Sequence, residues 1–221
     1  MFTKDINEIN RQNWLKSTLE ALRPGARILD AGAGELKNRK YCGHLSYVSQ
    51  DFCQYQGAEG GGSNEKGLHP ERWDTSGIDL VSDITSIPAK DASFDAILCS
   101  EVLEHIPEPT HALDEFTRLL KPGGILILTA PFASNVHMPP YHYCSGFSRY
   151  WYEHHLGQRG FHIETLVANG DWYTMLRQEI TRLGSQERQR GNWTWPIAYA
   201  YALLGLAYFK LGEFKHEVQQ R

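Results

Sequence analysis

The residues best suited to chemistry gather in two stretches, 101–105 and 135–143. In the first, Glu101, Glu104 and His105 stand at i, i+3 and i+4, so a helix would project all three from one face. Two carboxylates and an imidazole supply half of an octahedral site for Mg²⁺ or Mn²⁺. The plainer alternative is that Glu104 and His105 cap or pin that helix. The second stretch, NVHMPPYHY, places His137, Tyr141 and His142 on one loop that Pro139 and Pro140 stiffen. Imidazoles titrate near neutral pH, which makes His105, His137 and His142 the candidates for moving a proton, with Tyr141 beside them. The loop could supply a further metal ligand, a general base, or only an aromatic cover for the sheet edge.

A second set of residues has the pattern of a nucleotide-like pocket. The run ILDAGAG, residues 28–34, reads as a strand ending on Asp30 and turning through Gly32, Ala33 and Gly34. Glycine lacks Cβ and tolerates positive φ, so backbone there can approach a ligand closely. Asp51 and Phe52 close a second strand, where a carboxylate can accept hydrogen bonds from both ribose hydroxyls. Asp83 and Ile84 follow a third strand, offering an acceptor and an apolar wall for an adenine, and KPGG at 121–124 precedes a fifth. Each alone reads equally as a tight turn, a charged strand end or a helix cap. A nicotinamide-linked oxidoreductase would use the same first turn, but its third glycine would fall near Lys37 and is missing.

Together ILDAGAG, QDF, SDI, FDAILCSEVLEHI and LLKPGGILILTAP resemble class I S-adenosylmethionine (SAM)-dependent methyltransferases, specifically the type 11 group, over about residues 27–167. The resemblance implies a sheet of strand order 3-2-1-4-5 with SAM lying across the C-terminal strand ends. It implies that Asp30, Gly32, Ala33 and Gly34 line the methionine portion, Asp51 with Phe52 the ribose, and Asp83 and Ile84 the adenine. Ser100 and Glu101 would close the pocket floor near the sulfonium. The activity implied is methyl transfer to oxygen, less readily to nitrogen or carbon, of a small-molecule or lipid-like acceptor. A catalytically silent SAM-binding or membrane scaffold is the alternative. The E-x-x-E-H run is also similar to that of ubiquinone-pathway O-methyltransferases and small-RNA 2′-O-methyltransferases, which use a divalent ion.

The elements that must position these residues follow from periodicity. Helices are expected over 6–22, 101–106, 110–120, 147–156 and 172–183, and strands over 27–31, 45–50, 78–82, 94–100, 125–129 and 161–167. Alternating strands and helices indicate a Rossmann-like α/β fold, a mainly parallel sheet with helices on both faces. No seventh strand is visible, and a Gly-rich loop over 54–77 suits a lid. The expected organisation is a methyltransferase domain over 1–170 and a helical C-terminal extension over 171–221.

Composition bounds the rest. With 22 basic and 26 acidic residues and a net charge of -4, the chain shows no basic cluster for a nucleic-acid partner. Four scattered cysteines match neither a disulfide framework nor a zinc motif, and the first eight residues lack a signal-peptide core. A cytoplasmic location is expected. The segment 192–209 carries no formal charge and is rich in Trp and Tyr; through 192–211 it could pack on the domain, form a homodimer contact, lie on a membrane surface or span one.

Overall fold

The computed structural model describes residues 6–55, 73–189 and 191–219. The chain forms two compact units, one of Lys16–Leu166 and one joining Met1–Leu15 to Val167–Arg221. The first boundary falls within the opening helix α1 (Ile6–Glu20), so the N-terminal residues group with the C-terminal extension rather than with the sheet, and the second lies at 166/167 rather than 170/171.

The larger unit is built on five parallel strands: β1 (Arg27–Ala31), β2 (Ser46–Asp51), β3 (Leu80–Val81), β4 (Phe94–Ser100) and β5 (Leu120–Thr129), in the order 3-2-1-4-5. Helices flank the sheet, with α2 (Pro109–Leu119) preceding β5 and α3 (Arg149–Gln158) following it. β4 is buried along both faces, which is why FDAILCS reads as an unbroken apolar run. Ala112, Leu113, Phe116 and Leu119 form the buried stripe of α2 and join Leu29, Ile97 and Cys99 in one core. This packing fixes the C-terminal ends of β1, β2 and β4 side by side, where the chemistry-bearing residues lie.

Three expected elements differ. The 101–106 helix is reduced to a single tight turn at Leu103–His105. Glu101 adopts φ +56°, and Ile106 is extended because Pro107 bars the helical region to the residue before it. The KPGG turn is absorbed into β5 as a bulge: Phe94 pairs with Leu120 and Ala96 with Ile125, so residues 121–124 are looped out. Lys121 Nζ is held there 2.8 Å from Asp95 Oδ1. Residues 161–167 form no strand; Phe161 and Ile163 bury side chains against the core without joining the ladder, and Val167 is exposed. Most of the expected lid over 54–77 lies outside the described residues.

In the smaller unit, α4 (Trp172–Gln189) continues through the polar run past Leu183, and α5 (Trp195–Gln219) returns alongside it. Close approach occurs at Gly184, where a Cβ would lie 2.8 Å from the Tyr199 ring, and at Gly205, 3.1 Å from Ile180. The two pairs run in opposite sequence directions, which defines an antiparallel helical hairpin. α5 presents Ile197, Tyr201, Leu204 and Tyr208 to solvent at i, i+4, i+7 and i+11. Among the described residues no helix is long and apolar enough to cross a membrane.

Candidate active site

The cofactor-type pocket begins where β1 stops. Gly32 (φ +75°) and Gly34 (φ +50°) take left-handed conformations, and the N–H groups of Gly32 and Ala33 both donate to the Gln50 carbonyl, at 2.8 and 2.9 Å. This double bond folds the glycine turn back onto the end of β2. A Cβ on Gly32 would meet Val102 Cγ2 at 2.5 Å, and one on Gly34 would meet the Trp73 ring at 2.8 Å. The turn therefore needs glycine for packing as well as for φ.

Asp51 ties the same turn from below. Its Oδ2 accepts the Gly34 N–H at 2.9 Å and its Oδ1 accepts the Cys53 N–H at 2.8 Å. Each oxygen keeps a second lone pair, so the carboxylate is aimed and still able to accept from a diol. Asp30 is almost fully buried behind the turn. Burial pushes its carboxyl up to about 7; the hydrogen bond from Tyr47 opposes the rise and the charge of Asp51 adds to it. Asp83 engages its own loop instead, Oδ1 accepting from the Thr85 N–H and hydroxyl at 2.8 and 2.7 Å, with Ile84 buried beside it.

At the end of β4, Ser100 Oγ lies 2.9 Å from Thr129 Oγ1 and the Glu101 N–H donates to the Thr129 carbonyl at 2.8 Å. Cys53 (φ +55°) follows β2 and Glu101 follows β4 in left-handed conformations that non-glycine residues rarely occupy. Strain of this kind, on the order of 1–3 kcal/mol per residue, gathers at functional sites. Here it sits at the ends of the two strands that flank β1.

Beyond Glu101 the turn at 103–105 meets the 131–147 loop. The Tyr143 and Cys144 N–H groups donate to the Glu104 carbonyl at 2.9 and 3.3 Å, and a ring nitrogen of His105 bonds the Tyr141 carbonyl. The loop is pinched at its base by Ser134 N–H to Ser145 O and Phe147 N–H to Pro131 O. Gly146 permits the pinch, since a Cβ there would lie 2.2 Å from the Phe132 carbonyl oxygen. Within this frame His105, His137 and His142 pack ring against ring, with centroids 4.6 Å apart for His105–His137 and 4.8 Å for His137–His142. Glu104, 1% exposed, places Oε1 3.6 Å from His105 Nε2 and 3.9 Å from His137 Nε2. Burial, with a smaller contribution from His137, holds His142 below the ordinary imidazole range.

All the expected catalytic residues thus converge. His105, His137 and His142 form one cluster, and the Tyr141 ring stands edge-on to Phe52 at 5.0 Å, linking that cluster to the end of β2. The expected metal trio does not share a helical face: His105 joins the histidine cluster, Glu104 stands 3.6 and 3.9 Å from two of its rings, and Glu101, at φ +56°, precedes the single turn that carries them. Sequence reasoning missed Tyr47, whose partnership with Asp30 crosses two strands, and Trp73 and Val102, which cover the glycines. None of these has a spacing signature.

Comparison with known proteins agrees with this geometry. Two family models, each described as a methyltransferase domain, match residues 29–128 and 80–179. The chain belongs to the class I SAM-dependent methyltransferases. It is 34% identical over 123 residues to a demethylmenaquinone methyltransferase of Clavibacter sepedonicus, covering 54% of this chain and 47% of that one. A ubiquinone biosynthesis O-methyltransferase of Xanthomonas oryzae pv. oryzae is 57% identical over 37 residues, 17% of this chain and 16% of that one. The chain spans about half the length of the first of these curated relatives. Among solved structures, the [4+2]-cyclase SpnF has a TM-score of 0.56 at 23% identity, covering 91% of this chain and 75% of that one. Haemonchus contortus phosphoethanolamine N-methyltransferase 2, in complex with SAM, has a TM-score of 0.53 at 16% identity, covering 93% and 49%. A cyclase among these neighbours is a reminder that the fold alone does not fix the reaction.

Proposed function

We propose that the protein transfers a methyl group from SAM to an oxygen of a small, lipid-like acceptor of quinone type. The observation that carries this reading is the adjacency of two differently built sites: a glycine and carboxylate cradle at the ends of β1 and β2, and a histidine cluster on the loop beside it, joined through Phe52 and Tyr141. In the proposed reaction the acceptor oxygen attacks the methyl carbon, the carbon–sulfur bond breaks, and S-adenosylhomocysteine leaves. The hydroxyl proton passes to a neutral imidazole of the cluster. Most of the rate comes from aligning oxygen, methyl carbon and sulfur in line.

Asp51 is assigned to the ribose and Asp30, Gly32, Ala33 and Gly34 to the methionine end. Ile84, with Asp83, faces the adenine, and Ser100 and Glu101 border the sulfonium. The relatives named for demethylmenaquinone and ubiquinone biosynthesis support a quinone-type acceptor. The exposed Ile197, Tyr201, Leu204 and Tyr208 stripe, together with Trp193, supports a peripheral place on the cytoplasmic membrane surface, because amphipathic aromatic rings favour headgroup depth.

Calorimetric titration with SAM and S-adenosylhomocysteine tests the cofactor half, Asp51→Ala being expected to weaken both at least about tenfold. Labelled-methyl transfer to reduced quinones carrying a free hydroxyl tests the acceptor half. Cofactor binding without turnover on any hydroxylated acceptor would reduce the protein to a SAM-binding scaffold. Co-sedimentation with anionic vesicles, lost in Tyr201→Ser/Leu204→Ser, tests the membrane contact.

A further inference from the structure

We propose that His105, His137, His142 and Glu104 form a binding site for a divalent transition-metal ion of the zinc type, held by three imidazole nitrogens and one carboxylate oxygen. One potential ligand nitrogen from each of the three histidines lies within 4.8 Å of the other two. Glu104 Oε1 stands 3.6 and 3.9 Å from Nε2 of His105 and His137. Ligands about 2.0–2.1 Å from a tetrahedral zinc are separated by about 3.4 Å, so the carboxylate already stands near ligand spacing. The imidazole nitrogens, within 4.8 Å of one another, would close by at most about 1.4 Å.

The hydrogen bonds around the cluster point the right atoms inward. His105 Nδ1 faces the Tyr141 carbonyl and His137 Nδ1 lies 2.9 Å from the Asn135 carbonyl. A carbonyl can only accept, so each Nδ1 carries the proton and each Nε2 stands on the Glu104 side of its ring. Backbone carbonyls are the usual outer partners that orient metal-bound histidines. His142 supplies the third observation. Both of its ring nitrogens are buried and, among the described residues, neither has a hydrogen-bond partner. A buried imidazole in that state is costly, and an ion on one nitrogen would satisfy it.

The donor set also selects the ion. Three imidazoles favour zinc, iron or cobalt over Mg²⁺, which prefers oxygen ligands and retained water. This set therefore differs from a pair of carboxylates with one imidazole, since Glu101 is outside it. Bound there, the ion would clamp the 131–147 loop onto the 103–105 turn. With the ion bound the three imidazoles are occupied, so under the methyl-transfer reading the acceptor proton would pass to solvent; the site itself does not rest on that reading.

The test is calorimetric titration of the chelator-treated full chain with Zn²⁺ and, in parallel, Mg²⁺, without SAM. We expect saturation at one Zn²⁺ per chain, no comparable Mg²⁺ binding, and affinity at least about tenfold lower in His142→Ala and in His137→Ala. Zn²⁺ should raise the melting temperature of the wild type and not of the variants. Circular dichroism checks that both variants fold; His137→Ala carries the test if His142→Ala does not fold. Absence of saturable Zn²⁺ binding, or binding undiminished in both variants, overturns the proposal. Titration with SAM is read separately: metal without SAM binding overturns only the methyl-transfer reading, and SAM without metal overturns only this one.

Discussion

The Tyr47 hydroxyl donates a 2.7 Å hydrogen bond to Oδ2 of Asp30, at the base of the first glycine turn. The pair places a nearly inaccessible carboxyl directly behind that turn, with Asp51 close enough to add repulsion. Burial of the charge dominates, so Asp30 titrates at about 7 rather than 3.8.

The sign of the resulting pH dependence is fixed. Between about pH 4 and pH 7 the folded chain holds a proton on Asp30 that the unfolded chain has released. This residue therefore makes stability fall as pH rises across that window and leaves it flat above. The gap from 3.8 to about 7 corresponds to something on the order of 4 kcal/mol. Thermal or urea melts of wild type and Asp30→Asn should diverge in slope between pH 4 and 7; parallel curves would remove the assignment. Tyr47→Phe should cost about 1.5–3 kcal/mol at pH 8, where Asp30 is ionised, and less at pH 5.

Gly32→Ala should abolish measurable SAM binding while the chain still folds. The new methyl would meet Val102 at 2.5 Å and the φ of +75° would be strained. Adding Val102→Ala relieves the first problem only, so the double variant should recover part of the affinity. Full recovery by calorimetry would mean that φ is unimportant at this turn.

Asp51→Asn keeps size and removes one acceptor. Both Asp51 oxygens accept backbone N–H groups, from Gly34 and Cys53, and an amide places its NH₂ against one of them. The unliganded protein should lose about 1–3 kcal/mol of stability in denaturant melts, before any effect on cofactor is considered. Unchanged stability would show that these two bonds do not hold the turn.

Arg118 offers a control far from the chemistry. It pairs with Glu115 and Asp91 and donates to the carbonyls of Ile87 and Ala89, while Glu115 also accepts the Ile87 N–H. Arg118→Ala should cost about 1–3 kcal/mol, discounted because Arg118 is one-third exposed. Hydrogen bonding from Arg118 holds the Glu115 carboxyl below its ordinary 4.5. Its contribution is therefore present above that value and lost as pH falls through the depressed one, so the variant's deficit should shrink in acid. SAM affinity should not change.

Much of this architecture was legible because burial leaves a pattern. β1 and β4 coincide with their expected limits, and the strand order agrees with the resemblance to the methyltransferases. What failed was local geometry that hydrophobicity does not encode. The 101–106 segment has helical spacing, yet Pro107 and the left-handed Glu101 confine it to one turn. Phe161 and Ile163 alternate like a strand and do bury their side chains, but no ladder forms. At the site, sequence order named every histidine; it could not show that His137 and His142 fold back onto His105, because that closure depends on the backbone bonds to Glu104 and the pinch at Gly146.

Those closures are made almost wholly by main-chain atoms: Tyr143 and Cys144 to the Glu104 carbonyl, Phe147 to Pro131, Ser134 to Ser145. Such anchors do not depend on which side chains the loop carries between them. Apart from His137, Tyr141 and His142, the span from Asn135 to His142 is thus free to vary in composition while its seat on the domain stays the same. A scaffold arranged this way can change the molecules it accepts by exchanging a handful of residues, leaving the machinery that grips the methyl donor untouched, and directed evolution confined to those positions is the natural route to new acceptors.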